Sequence, residues 1–383
     1  MTKIAFFISD HGYGHATRTI KLLELLHGSK DDIEIILCSE YANHLVSREL
    51  ARSGVKSRTY NYPTEYGIAV TDGVTDLYKT LTGLPKWTQR QRAIGPILAK
   101  WLEKEHIDYI FTDISPYPFL MAEKLDIPSA GFSNFSWADQ YLGMLLKLRE
   151  ENRLDPIEVK GISEAVDDIQ RAYSASKICF AYPFEMSLAG FQKKESVPLI
   201  ARKSTLDKWK SREIVIEQAW HPKKVKEKEI NTKFLVFLSL GMSLPLSKES
   251  RSFISHSPSN WHFICPQSSG SILNGLPNVS LIPPSTLAVN DWMKACDLVI
   301  SKPGYSTVSE ALLNRIPLAV LPLETPEAMT TLSILAERGW ATTISLTGTD
   351  SASFDRLESL RIPILPECLI SSDIGPIIKF MQS

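Results

Sequence analysis

The chain has 383 residues, 44% of them hydrophobic and 22% charged, with a formal net charge of −1. That length exceeds one ordinary hydrophobic core, so two domains are expected, and the balanced charge offers no footprint for nucleic acid. No stretch approaches the roughly 18 apolar residues of a membrane span, and the start lacks the basic and apolar regions of a signal peptide. Residues 4–8 are an unbroken apolar run and read as a buried strand, followed by a helix whose apolar positions run through 20–26. A strand at 34–38 and a helix at 42–52 come next. A helix ends at 101–106, and then follow a strand at 109–112, a helix at 118–125 and a strand at 127–132. Strands alternating with helices imply an α/β fold with parallel pairing.

Residues 60–92 break this rhythm. They hold Tyr60, Tyr62, Tyr66, Tyr78 and Trp87 among Gly67, Gly73, Gly83, Pro63 and Pro85. They read either as a wall for an acceptor or as an insertion packing its own small core. From 199 to 233 the chain turns polar and lysine-rich, which puts a domain boundary near residue 200. The division is 1–200 and 201–383, with 201–232 as a linker. Within it Lys223, Lys224, Lys226 and Lys228 interleave with Glu227 and Glu229, a solvated face. Strands are expected again at 234–240, 261–265, 279–282, 298–300 and 318–321. The five cysteines (Cys38, Cys179, Cys265, Cys296, Cys368) show no C-x-x-C spacing. They read as reduced thiols of a cytoplasmic protein and give no metal site.

Two segments carry chemistry. His11-Gly12-Tyr13-Gly14-His15-Ala16-Thr17-Arg18 follows the first strand. Gly12 and Gly14 permit tight turns, and His15 then opens a helix above the strand ends. A histidine there suits general-base work if a carboxylate orients it, and Asp113, at the end of the 109–112 strand, is the candidate. The plainer roles are a capping or core histidine and an N-cap aspartate. His11 either contacts substrate or shapes the loop. Arg18 meets an anion or makes a surface salt bridge.

The second segment is Ser301-Lys302-Pro303-Gly304-Tyr305-Ser306-Thr307-Val308-Ser309-Glu310. Gly304 frees the backbone, Ser306 and Thr307 are able to cap a helix and offer hydroxyls, and Lys302 adds charge. Glu310, about one turn on, is placed to accept from ribose hydroxyls. The pattern is neither a Walker A loop nor G-x-G-x-x-G. Its plainer reading is a capped helix after a strand.

Together the two segments resemble the GT-B glycosyltransferases, particularly the UDP-glycosyltransferase superfamily. Further matches in chain order are Val197–Ser204, the Gly241–Ser243 loop and an acidic segment with Glu324 and Glu327. The wording of both motifs is similar to the glycosyltransferase-like region of plant-type L-arabinokinases, whose kinase domain a chain of this length is not expected to carry. The second motif is also similar to the transferase that adds N-acetylglucosamine to the lipid-linked peptidoglycan precursor. The resemblance implies two Rossmann-like domains with parallel sheets facing a central cleft, an N-terminal acceptor domain and a C-terminal donor domain. It implies inverting transfer from a nucleotide-sugar, by default a UDP-sugar, with no cofactor or metal.

His15 takes the base position and Asp113 that of its partner. Gly14, Gly241, Ser243, Lys302, Gly304, Ser306, Thr307, Glu310, Glu324 and Glu327 take donor positions, and domain closure excludes water. Ala328 stands where the family usually has Gln, so sugar recognition must differ. The acceptor stays open among small molecule, glycan and lipid. Phe132, Phe135, Trp137, Tyr141 and Leu142 either line an apolar pocket for it or serve as core, and apolar residues at 144–148 offer a weak peripheral membrane contact. A GT-B epimerase or hydrolase and a catalytically silent nucleotide-sugar-binding protein are the alternatives.

Overall fold

The structure, a computed structural model, describes residues 1–382 apart from 31, 72–73, 220–231, 241–245, 267–271, 283–288 and 348–349. By their contacts these form two units. One is Met1–Ile200 with Thr325–Thr330 and Glu367–Ser383; the other is Ala201–Glu324 with Thr331–Pro366. A single cut at residue 200 therefore misplaces the tail. Its last helix, Gly375–Phe380, belongs with the first unit, where Phe380 packs on Phe111 and Phe180 and Tyr109 Oη donates to the Met381 carbonyl at 2.7 Å.

The first unit alternates as expected: β1 (Thr2–Ile8), α1 (Tyr13–Ser29), β2 (Ile33–Cys38), α2 (Ala42–Arg52), β3 (Ser57–Tyr60), a short hairpin of β4 (Val70–Thr71) and β5 (Val74–Thr75), α3 (Leu77–Glu105), β6 (Tyr109–Asp113), α4 (Pro118–Lys124), β7 (Ser129–Ser133), α5 (Trp137–Glu150), α6 (Pro156–Ser174), β8 (Ile178–Ala181) and β9 (Lys194–Ser196). The main sheet has the order β3-β2-β1-β6-β7-β8-β9, and every pair is parallel. Ile4 through Ile8 are fully buried because helices cover both sheet faces, which is why the run shows no alternation. The strand order reverses between β1 and β6, so a crevice opens beyond their C-terminal ends.

The second unit repeats the plan. Its strands β10 (Phe234–Ser239), β11 (Trp261–Pro266), β12 (Val279–Ile282), β13 (Leu298–Ser301), β14 (Leu318–Val320) and β15 (Thr342–Thr343) lie in the order β12-β11-β10-β13-β14-β15, again all parallel. Here the reversal falls between β10 and β13. Both units are thus doubly wound α/β sheets.

Three expectations need correction. Residues 60–92 are not irregular throughout, because α3 starts at Leu77 and runs 29 residues through Pro85 and Pro96. Asp76 caps it by accepting from Lys79 N at 2.9 Å, and Leu81, Leu84 and Trp87 bury its face in the same cluster as Phe135, Trp137 and Tyr141. The prolines and glycines hid the period. Gly83 itself is a packing position, since a Cβ there would collide with the Tyr66 hydroxyl.

The span 201–232 is not all linker. Lys208–Ala219 is a helix, α7, with Ser211, Arg212 and Val215 buried, and Arg212 Nη2 meets Asp297 Oδ2 at 2.5 Å. The lysine–glutamate stretch at 223–229 lies outside the described residues. Met144, Leu145 and Leu148 are core, and the large apolar residues that α5 exposes are Leu142 and Leu146. No described helix is long and apolar enough to cross a membrane.

Candidate active site

The turn after β1 sets the first site. Gly12 is the N-cap of α1 at φ 91°, ψ 166°, a region that only glycine occupies readily. Gly14, expected in the turn, instead sits in the first helical turn, where its carbonyl accepts from Thr17 Oγ1. His15 and Arg18 are one turn apart on α1, and both face inward. Asp113 is the last residue of β6, beside Ile8 in register. After it Ile114 takes φ 70°, an outlier for a β-branched residue, and its carbonyl accepts from the Tyr173 hydroxyl at 2.7 Å. That pinned turn fixes where the Asp113 carboxylate points.

His15 Nδ1 lies 3.1 Å from Asp113 Oδ1 and 3.2 Å from Oδ2. Residues 98 apart in sequence thus meet within hydrogen-bond distance, with Asp113 1% and His15 7% exposed. Arg18 is the third member. Its Nε donates to Asp113 Oδ2 at 3.0 Å, its Nη2 pairs with Asp113 Oδ1, and its Nη1 donates to Asn134 Oδ1 at 3.0 Å. Nη2 is also 2.8 Å from His15 Nδ1. Arg18 is therefore neither a surface salt bridge nor an open anion contact; it is buried in a bidentate clamp. Burial pushes the Asp113 carboxyl up, but the charge of Arg18 and the contacts with His15 and Arg18 outweigh it and hold it below the usual range. Burial opposes the charge on Arg18 too, and Asp113 overcomes it, so the guanidinium stays charged.

Around this cluster stand aromatic rings. His15 meets Phe135 edge-on at 5.9 Å, Phe135 meets Trp137 at 5.2 Å, and His11 meets Trp137 at 5.2 Å. Of the two readings for Phe132, Phe135, Trp137 and Tyr141, their full burial favours core, while Leu142 is exposed. Asp10 is a structural cap: its carboxylate accepts from Glu40 N, Tyr41 N and Ala42 N at the start of α2. Glu65 receives Ser9 Oγ at 2.9 Å, while its Oε2 is buried with no hydrogen-bond partner among the described residues. Burial and the neighbouring Asp10 push its carboxyl up to about 8, against the pull of the Thr64 and Ser9 hydroxyls. Asn134 Nδ2 donates to Glu327 Oε1 at 3.0 Å, within the first unit.

At the second switch point β13 leads through Lys302 and Gly304 into the helix Tyr305–Leu313. Gly304 is its N-cap, and no side chain among the described residues caps it. Ser306 and Thr307 lie inside the first turn instead of capping it. A helix start is electrostatically suited to an anion. Lys302 packs along Gly304, with its Cε 3.4 Å from where a Cβ would stand.

Glu310 is buried, and its Oε1 accepts from Arg202 Nε at 2.7 Å. Its backbone carbonyl accepts from Asn314 Nδ2, and Asn314 Oδ1 accepts from Ser204 N at 2.9 Å. The segment carrying Arg202 and Ser204 is thereby stitched to the helix end. Glu324 is exposed on the strand-to-helix connection. Gly241 and Ser243 lie outside the described residues. Among the described residues no group of three or more His, Cys, Asp or Glu is placed to hold a metal.

The sequence offered Arg18 as an anion contact or a surface salt bridge, not as part of a buried clamp, and gave no sign of Asn134, Glu65 or Arg202. The spacing of Arg18 three residues after His15 was the available signal for the first; the others carry none, because their partners are distant in sequence.

No protein-family model matches the chain. Over 323 residues it is 23% identical to the L-arabinokinase of Arabidopsis thaliana, a match that spans 82% of this chain and 27% of that protein's length. Solved structures match over nearly the full chain. The calicheamicin glycosyltransferase CalG4 superposes with a TM-score of 0.60 at 16% identity, covering 100% of this chain and 93% of that one. The glycotransferase of kitacinnamycin gives 0.60 at 14% identity, covering 99% and 93%. Phytolacca americana UGT2, solved with UDP-2-fluoro-glucose and pterostilbene, gives 0.58 at 15% identity, covering 100% and 93%. At these identities the shared property is the fold, and that fold is GT-B.

Proposed function

We propose that the chain is an inverting glycosyltransferase that moves a sugar from a nucleotide-sugar, by default a UDP-sugar, to an acceptor hydroxyl. The observation that carries this reading is the His15–Asp113 pair, which the fold assembles at a strand-order reversal from residues 98 apart. Asp113 orients the imidazole, and His15 Nε2 takes the proton of the acceptor hydroxyl as its oxygen attacks the anomeric carbon. The C–O bond to the diphosphate breaks, and the leaving diphosphate is met by Lys302 and the start of the Tyr305–Leu313 helix. General-base help of this type contributes about 10²–10⁴-fold, and electrostatic stabilisation of the leaving group is a separate gain. A UDP-sugar analogue on the UGT2 relative supports a nucleotide-sugar donor. No metal is assigned a role in this reading. Glu310 contacts ribose only through what its pairing with Arg202 leaves open.

Thermal shifts with UDP, GDP, dTDP and ADP test the donor site. A nucleotide at 100 times its Kd adds about 2.7 kcal/mol of stability. One nucleotide should shift the wild type, and Lys302→Ala and Glu310→Ala should abolish the shift. With that nucleotide's sugars as donors, His15→Ala should lower transfer by about 10²–10⁴-fold. No shift with any nucleotide removes the donor site and with it the reading.

A further inference from the structure

Histidine Nδ1 has one in-plane position for a proton or a lone pair, and in His15 two groups compete for it. Asp113, at 3.1 and 3.2 Å, accepts only and calls for Nδ1–H. Arg18 Nη2, at 2.8 Å, donates only and calls for a lone pair. Both demands cannot be met at once, because two N–H groups facing each other at 2.8 Å put their hydrogens in collision. Arg18 has little freedom to yield: two of its nitrogens are fixed on Asp113 and a third on Asn134, all buried, with its guanidinium 5.2 Å above the Tyr182 ring. Asp113, for its part, is already charge-matched by the clamp and does not depend on His15 for a partner.

From this we infer that Arg18 is a positioning residue that sets the tautomer of His15. In the resting protein Arg18 donates to Nδ1, the ring proton sits on Nε2, and the imidazole faces the crevice as a hydrogen-bond donor. The base form used in transfer is the other tautomer: Nε2 gives its proton to solvent, Nδ1 takes one up from solvent and donates it to Asp113, and Arg18 Nη2 keeps only its bond to Asp113 Oδ1. The tautomer stands apart from the transfer reading; the consequence for catalysis rests on it.

The test is the side-chain ¹⁵N spectrum of the full-length labelled chain at pH about 8.5, where an ordinary histidine is neutral. The His15 resonances are identified by their loss in His15→Gln. The wild type should show an unprotonated, pyridine-type Nδ1 and a protonated Nε2. Arg18→Met should exchange the two, with Nδ1 becoming the protonated nitrogen bound to Asp113. Arg18→Lys keeps a positive charge on Asp113 but loses the fork, so it should exchange them as well, and it serves if the methionine variant does not fold. A protonated Nδ1 in the wild type overturns the inference, as does an unchanged pattern in a folded Arg18 variant. A purely structural Arg18 would not move this signal. Because the spectrum needs no substrate, failure of the transfer assay and failure of this inference are read separately.

Discussion

The two switch points share one topology and differ in what fills them. At the first, between β1 and β6, charge is carried by side chains: His15, Asp113, Arg18 and Asn134 form a buried network, which Asn134 extends to Glu327. At the second, between β10 and β13, the described groups are a helix start without a side-chain cap, Lys302 in the turn and one carboxylate, Glu310, held by Arg202. A buried network is intolerant of single losses, since removing one member leaves a buried charge with less to match it. A helix start keeps its backbone dipoles whatever side chain is changed nearby. The first arrangement suits moving a proton at a defined atom, and the second suits holding an anion that comes and goes.

The largest effect expected from this contrast is on stability. Arg18→Met leaves the Asp113 carboxylate buried without its cation and should cost about 3–5 kcal/mol, read as a lowered denaturant midpoint. A loss below about 1 kcal/mol would mean the network opens to water, and the contrast between the sites would collapse.

Arg202→Met is the matching change at the second site and should cost less, about 1–2 kcal/mol. Arg202 keeps 18% of its side-chain surface exposed against 2% for Arg18, so water screens more of the pair. The same variant also frees Glu310. If Arg202 competes with ribose for that carboxylate, nucleotide affinity in Arg202→Met should rise by roughly tenfold, the equivalent of one lost charge-assisted hydrogen bond. Weaker nucleotide binding would show instead that Arg202 orders the site.

These differences also explain what the sequence disclosed. Strands such as 4–8 and 298–300 were legible because burial on both sheet faces leaves an unbroken apolar run. His15 and Asp113 were legible because each sits where a strand ends and a turn or helix begins. The helix α3 was not, because Pro85, Pro96 and Gly83 mask a period that only packing against α5 and α6 enforces. The clamp was legible only at Arg18, one turn after His15, because Asn134 and Tyr182 come from separate parts of the chain. The Arg202–Glu310 pair was not legible, since its members lie 108 residues apart. Local pattern reports periodicity and turns, whereas charge compensation depends on which strand ends the topology brings side by side.

The smallest effect concerns Glu65, which gives the first site a pH dependence unlike any described group at the second. Its carboxyl is raised to about 8 in the folded protein, from an ordinary value of 4.5. Below both values the folded and unfolded chains hold the proton alike, and Glu65 costs nothing. Between them the unfolded chain releases it while the folded one retains it, so stability falls as pH rises and levels off above about 8. Glu65→Gln keeps the shape and a group for Ser9 Oγ but cannot ionise. Its melting temperature should match the wild type near pH 5 and exceed it progressively toward pH 8. Because the side chain retains some exposure, the gain there should be only about 1–2 kcal/mol. A gain equal at both pH values would show that the Glu65 carboxyl is not raised in the folded protein; a loss at both would make the carboxylate itself part of the packing behind Ser9 and His11.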